Sequence, residues 1–358
     1  MTFSIQPAAL SAQASSLRAL ADSTPLADTY ATDHLTLEWV DTVVLFARAR
    51  DAAHSTRDAV TAYLASIADA HGRSADELVA IADDSVATDD AIEAELDAAY
   101  PESGASSSPP IAPSNQAVYT APAPPEDSLV APADGMPEDL VSTILTTDWL
   151  SPSTVVAQII DWIFDWNYLD EISNKFSGDW DRLYSVSSAI GHLSAYHEAQ
   201  GAGVTHAMAV CASNWRGNAA DAANVFFHET SELLREAAAQ LTALAPEFET
   251  VARGMKDTAD LVAGLFATIM DLAIATAWFY IAGTVLIETV VGTVIGYLAG
   301  TGTLAYLLWL VSQAYEAVQS VLLFFDALGA AVGVLSQFLA GGAELPLPTP
   351  YDNPMVEA

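Results

Sequence analysis

The chain has 358 residues, 46 of them acidic and 11 basic, giving a formal net charge of −35 with 52% apolar residues. The apolar share excludes wholesale disorder, and the length supports several modules with cores of their own. The charge excludes a nucleic-acid role: holding a phosphate backbone needs clustered Lys and Arg, and none occurs between Arg73 and Lys175 or after Lys256.

Residues 1–100 read as helix. The opening stretch from Met1 to Pro7 lacks the apolar core and cleavage site of a secretory signal, so any export is expected to use a route that reads folded features. Val43, Ala47, Val60, Tyr63, Leu64 and Ile67 follow a three-and-four spacing. Pro25, in the polar stretch Asp22 to Asp33, predicts a turn between two antiparallel helices. Ser74 ahead of Asp76 and Glu77 predicts a helix N-cap.

Residues 101–147 read as a Pro/Ala/Ser-rich linker, with nine of the chain's 17 prolines before residue 139. Its span, roughly 30–35 Å if flexible, lets the flanking modules fold back on one another. Residues 148–256 read as a second helical hairpin. Four tryptophans open it: Trp149, Trp162, Trp166 and Trp180. Ser151-Pro152 marks a helix start, followed by Val155, Val156, Ile159, Ile160, Ile163 and Trp166 on one face. Leu183, Val186, Ile190 and Leu193 carry the next helix, which resumes at Val204, Met208 and Cys211 after a weak point at Gly201 and Gly203. Phe226, Leu233, Ala237, Leu241, Leu244, Phe248 and Val251 form a single stripe, with Pro246 predicting a local bend. Residues 257–343 read as a long apolar hairpin, helices about 257–298 and 304–340, turning at Ala299 to Thr303. Residues 344–358 read as a loose tail. The expected fold is all-α.

Between the two helices of the second hairpin stands Ser213-Asn214-Trp215-Arg216-Gly217-Asn218-Ala219-Ala220. Glycine allows a tight turn with positive φ, and the small Ala219 and Ala220 allow the next helix to start close against the first. Trp215 can then lie across the seam and present an edge to a partner. This W-x-G between two long helices resembles the WXG superfamily of type VII (ESX) secretion substrates and their partners. Gly178-Asp179-Trp180 ahead of the hairpin resembles a feature of larger WXG-type proteins. Leu78-Val-Ala-Ile-Ala82 with Thr88-Asp89-Asp90 is similar to the EspC-like branch. The resemblance covers residues 1–98 and 150–255. It implies a non-enzymatic protein, secreted or at the cell surface without a Sec signal, recognised through Trp215, Gly217, Ala219 and Ala220. The implied partners are secretion-system components or a small W-x-G protein. Pairing of the two hairpins within one chain, as a four-helix bundle, would imitate such a pair. The chain departs from the family in one respect: where Y-x-x-x-D/E is expected it has Ser85-Val-Ala-Thr-Asp89, and no such motif occurs elsewhere.

Gly292, Gly296 and Gly300 recur every fourth residue within Thr289–Leu310, which carries no charge and is long enough to span a bilayer. Two settings fit this groove: tight packing in a soluble bundle, or membrane insertion. The second gives the alternative function, a pore-forming or membrane-anchoring effector acting through residues 261–340. Against ordinary spanning stand the missing basic flanks and the acids Asp271, Glu316 and Asp326. No cofactor or metal is expected. His192 and His197 are five apart and so not on one helical face, and Glu198 does not complete a ligand set. The lone Cys211 excludes a disulfide framework and, lying on an apolar stripe, reads as a small buried hydrophobe. His228-Glu229 reads as a solvated or seam pair, and the acidic run Asp76 to Asp97 as a solvated helix face.

Overall fold

The computed structural model describes residues 4–38, 44–99, 122–133, 135, 179–281 and 302–342. Among them the chain is all-α apart from one two-residue bridge. Its elements are β1 (Ser4–Ile5), α1 (Pro7–His34), α2 (Val44–Ala99), a 3-10 turn (Pro125–Ser128), α3 (Trp180–Ala212), β2 (Trp215–Arg216), α4 (Asn218–Ile281) and α5 (Thr303–Gly342).

Pro7 starts α1 where its fixed φ suits the first helical position. The helix does not turn at Pro25 but runs through it to His34. A proline removes the N–H that would bond the carbonyl four residues back; here the Thr24 hydroxyl donates to that carbonyl, Ala21 O, at 2.8 Å. The first hairpin therefore turns after Leu35, whose N–H closes α1 on the Ala31 carbonyl. Nor does Ser74 cap a helix: α2 is continuous through it, and its buried hydroxyl donates back to the Ala70 carbonyl at 2.7 Å.

The Gly201/Gly203 pair likewise does not interrupt α3. It marks close packing on two sides. A Cβ at Gly203 would lie 2.8 Å from the Leu20 side chain of α1, and one at Gly201 would lie 3.1 Å from the Ser231 carbonyl of α4. Asp179 caps α3, its carboxylate accepting from the Arg182 N–H at 2.8 Å.

α1 and α2 form one antiparallel hairpin, α3 and α4 the other, and α1 packs along α3, which joins the two in one helical bundle. α5 then lies against both α4 and α2. Its approach to α4 is close enough that a Cβ at Gly254 would meet the Phe324 ring at 2.8 Å. Trp180 is the joint where α2, α3 and α5 meet, edge-on to Phe46 (ring centroids 5.3 Å) and to Phe325 (6.4 Å).

α4 passes unbroken through Pro246 and through the expected module junction at 256/257, so the second hairpin and the apolar region share one helix. The apolar stripe simply continues, from Val251, Ala252 and Met255 to Val262. Its first turns are rotated from expectation: Phe227 and Leu234 are buried, with Phe226 and Leu233 half-covered. Part of the expected linker is docked. Residues 122–133 lie on α1 and α3: Tyr30 Oη donates to the Val130 carbonyl at 2.8 Å, and Ser185 Oγ to the Ala133 carbonyl at 2.8 Å.

Candidate interaction site at the W-x-G turn

The turn between α3 and α4 is built from the backbone outward. α3 ends with the Asn214 N–H on the Cys211 carbonyl, and the Asn214 amide also reaches back to the Val210 carbonyl at 3.1 Å. Trp215 and Arg216 are extended. Gly217 then adopts φ +131°, a region that side chains rarely enter, and its carbonyl accepts the Asp221 N–H that starts α4. Glycine is required here by conformation.

Trp215 is buried, at 5% exposure, and not the partly exposed edge that the motif suggests. Two features of the tertiary fold cover it. β1 pairs antiparallel with β2, Ile5 opposite Trp215 and Ser4 opposite Arg216, and the Gln6 N–H donates to the Asn214 carbonyl at 3.0 Å. Around the indole lie Gln13 of α1, Met208 and Cys211 of α3, and Ala220 and Phe227 of α4. Ala220 is buried at the helix seam as expected, whereas Ala219 is one position round and faces solvent. Exposed Arg216, Asn218 and Ala219 form the rim of the turn, with Gly217 half-buried. Burial pushes the Cys211 thiol up to about 11, so it behaves as a packed apolar group.

The histidines are dispersed. His192 Nδ1 donates to the Tyr30 hydroxyl at 2.7 Å, while His197 is buried with Nδ1 on the Leu193 carbonyl at 2.7 Å. Glu198 faces out towards Arg235, at 3.8 Å. His228 and Glu229 are both exposed. No group of three or more His, Cys, Asp or Glu arranged to hold a metal occurs among the described residues.

Sequence reasoning missed the polar layer that joins the hairpins. Gln200 Nε2 of α3 shares its two hydrogens among Tyr196 Oη (2.6 Å), Ser23 Oγ (2.9 Å) and the Leu20 carbonyl (3.0 Å). Tyr63 of α2 stacks on His197 at 5.7 Å, and His71 is buried beside Gln200. Its only signal was polar residues on otherwise apolar stripes.

α5 has two apolar faces. Leu307, Leu310, Val318, Val321, Phe325, Leu328 and Leu335 face the bundle, whereas Tyr306, Leu308, Trp309, Tyr315, Leu323 and Val334 are exposed. It is the one helix among the described residues long and apolar enough to cross a membrane. The glycines Gly292, Gly296 and Gly300, the tryptophans Trp149, Trp162 and Trp166, and residues 344–358 lie outside the described residues. Comparison of the chain with protein-family models, with curated proteins and with solved structures finds no match.

Proposed function

We propose that the chain is a non-enzymatic substrate or partner of a type VII secretion system, secreted or displayed at the cell surface without a Sec signal. The observation that carries this is the turn itself: a W-x-G whose glycine is held at φ +131° between two long antiparallel helices. The other hairpin of the chain, α1 and α2, packs along α3, and this supports pairing in cis in place of a separate W-x-G partner. What the apparatus reads is then the solvent-facing rim, Arg216, Asn218 and Ala219, with Trp215 and Gly217 holding that rim in shape. The test is an export assay in cells with and without an active secretion ATPase. The chain should reach the medium or cell surface only when the ATPase works, and Ala219→Arg should lower export while helicity is retained. Equal release without the ATPase rejects the reading.

The exposed apolar face of α5 supports a second reading, a membrane-associated effector. Exposed large apolar patches mark interaction or membrane sites. That reading requires retention after a carbonate wash and dye release from liposomes. Dye release is measured at pH 7 and at pH 5. Complete release by carbonate with no leakage at either pH rejects it.

A further inference from the structure

The bridge between β1 and β2 is out of place in a helical bundle, and its geometry explains it. After α3 ends, Trp215 and Arg216 run extended for two residues, so their peptide groups have no helical partners. Backbone donors and acceptors beside a buried indole need partners from somewhere. The stretch before α1 supplies them. The Gln6 N–H bonds the Asn214 carbonyl, which makes Ile5 and Trp215 a non-hydrogen-bonded antiparallel pair, the register that brings opposing side chains closest. The pairing is short, two residues, and Ile5 is only half-buried. Under it Gln13, 3% exposed, lines the Trp215 pocket with Oε1 lacking a hydrogen-bond partner among the described residues. A buried acceptor of this kind belongs to a site able to take a further donor.

We infer that the Asn214–Arg216 backbone edge is a strand-acceptor site, filled in cis by Ser4–Gln6 and open in trans to an extended peptide with an aliphatic residue opposite Trp215. Strand addition draws its affinity from main-chain hydrogen bonds and its specificity from alternate side chains. Here the specificity position is the one facing the indole. The inference concerns the backbone edge and holds whatever apparatus, if any, exports the chain.

Because the cis segment competes at an effective concentration on the order of millimolar, the intact chain should bind a free peptide weakly. The probe is a fluorescently labelled synthetic peptide with the sequence of residues 1–9, followed by anisotropy. A full-length chain carrying Ile5→Asp, which unseats the cis segment, should bind it at least tenfold more tightly than the unmodified chain. The same peptide carrying Ile5→Asp should lose at least tenfold on the opened chain. Equal affinity for the two chains, no binding to the opened chain up to millimolar peptide, or indifference to the peptide substitution would each overturn the inference. Circular dichroism is recorded on the same samples. Loss of the bundle in the Ile5→Asp chain would show residues 4–6 to be part of the core, and would overturn it as well. An export defect with intact peptide binding would count against the secretion reading alone.

Discussion

Trp215 was legible in the sequence as the centre of a turn but not as a buried residue. W-x-G spacing fixes which residues can turn; it carries no information about a segment more than 200 positions earlier in the chain that lies across the indole. The consequence is a changed expectation for Trp215→Ala. A buried aromatic truncated to alanine costs about 3–5 kcal/mol, because both the transfer free energy and the cavity count. Urea melts should therefore show Trp215→Ala strongly destabilised, and Trp215→Phe markedly less so. If Trp215→Ala melts like the parent chain, the indole is not part of the core. Arg216 and Ala219, on the rim, should tolerate substitution within about 0.5 kcal/mol. That contrast separates what holds the turn from what a partner can read.

At the scale of elements, periodicity was the reliable signal and punctuation the unreliable one. The stripes read in α2, α3 and α4 repeat at three and four, and each lies in a helix that formed, with the first turns of α4 rotated from the reading. Pro25 and Ser74 read as helix boundaries and Gly201 with Gly203 as a weak point, and none interrupts a helix; Pro246, read as a local bend, likewise lies within one continuous helix. At Pro25 a neighbouring hydroxyl replaces the lost donor. At Gly203 the missing side chain is what lets α3 meet Leu20. Such reasons are tertiary and cannot be read from local sequence. The glycines themselves give a test with opposite signs. Gly72 in α2 and Gly333 in α5 face open space, so alanine there should stabilise by about 0.5–1 kcal/mol through helix propensity. Gly254→Leu drives a side chain into the Phe324 ring and should destabilise by about 1–3 kcal/mol. Thermal melts that shift the same way for both classes would contradict the α4–α5 packing.

For the whole molecule, the decisive feature is that the two hairpins meet through a polar layer inside an acidic protein. His71 and His197 are fully buried there, with Nε2 of each lacking a hydrogen-bond partner among the described residues. Burial lowers both to about 4; Gln200 opposes the shift at His71, and the Leu193 carbonyl opposes it at His197. His34 moves the same way, through burial and then the nearby Arg182. In the unfolded chain a histidine titrates near 6.5. Between those values the unfolded state binds more protons than the folded one, so stability is fully present above about pH 6.5 and falls as pH drops towards 4. By pH 5 the loss is about 2 kcal/mol for each of the two buried histidines. Ordinary carboxylates remain largely ionised at pH 5, so the window from 7 to 5 reports the histidines rather than relief of charge repulsion. The urea midpoint should fall across it, and the double variant His71→Gln/His197→Gln should show a clearly flatter dependence. A parent chain whose midpoint is unchanged from pH 7 to 5, or a double variant with the same slope, would rule out these histidines as the source. The same loosening bears on α5. Its bundle-facing stripe, Leu307 to Leu339, is held by α2 and α4, so weakening the layer between the hairpins at pH 5 makes that stripe easier to release. Acid-dependent liposome leakage that is lost in the double variant would then trace to the buried histidines, and leakage that persists in it would not.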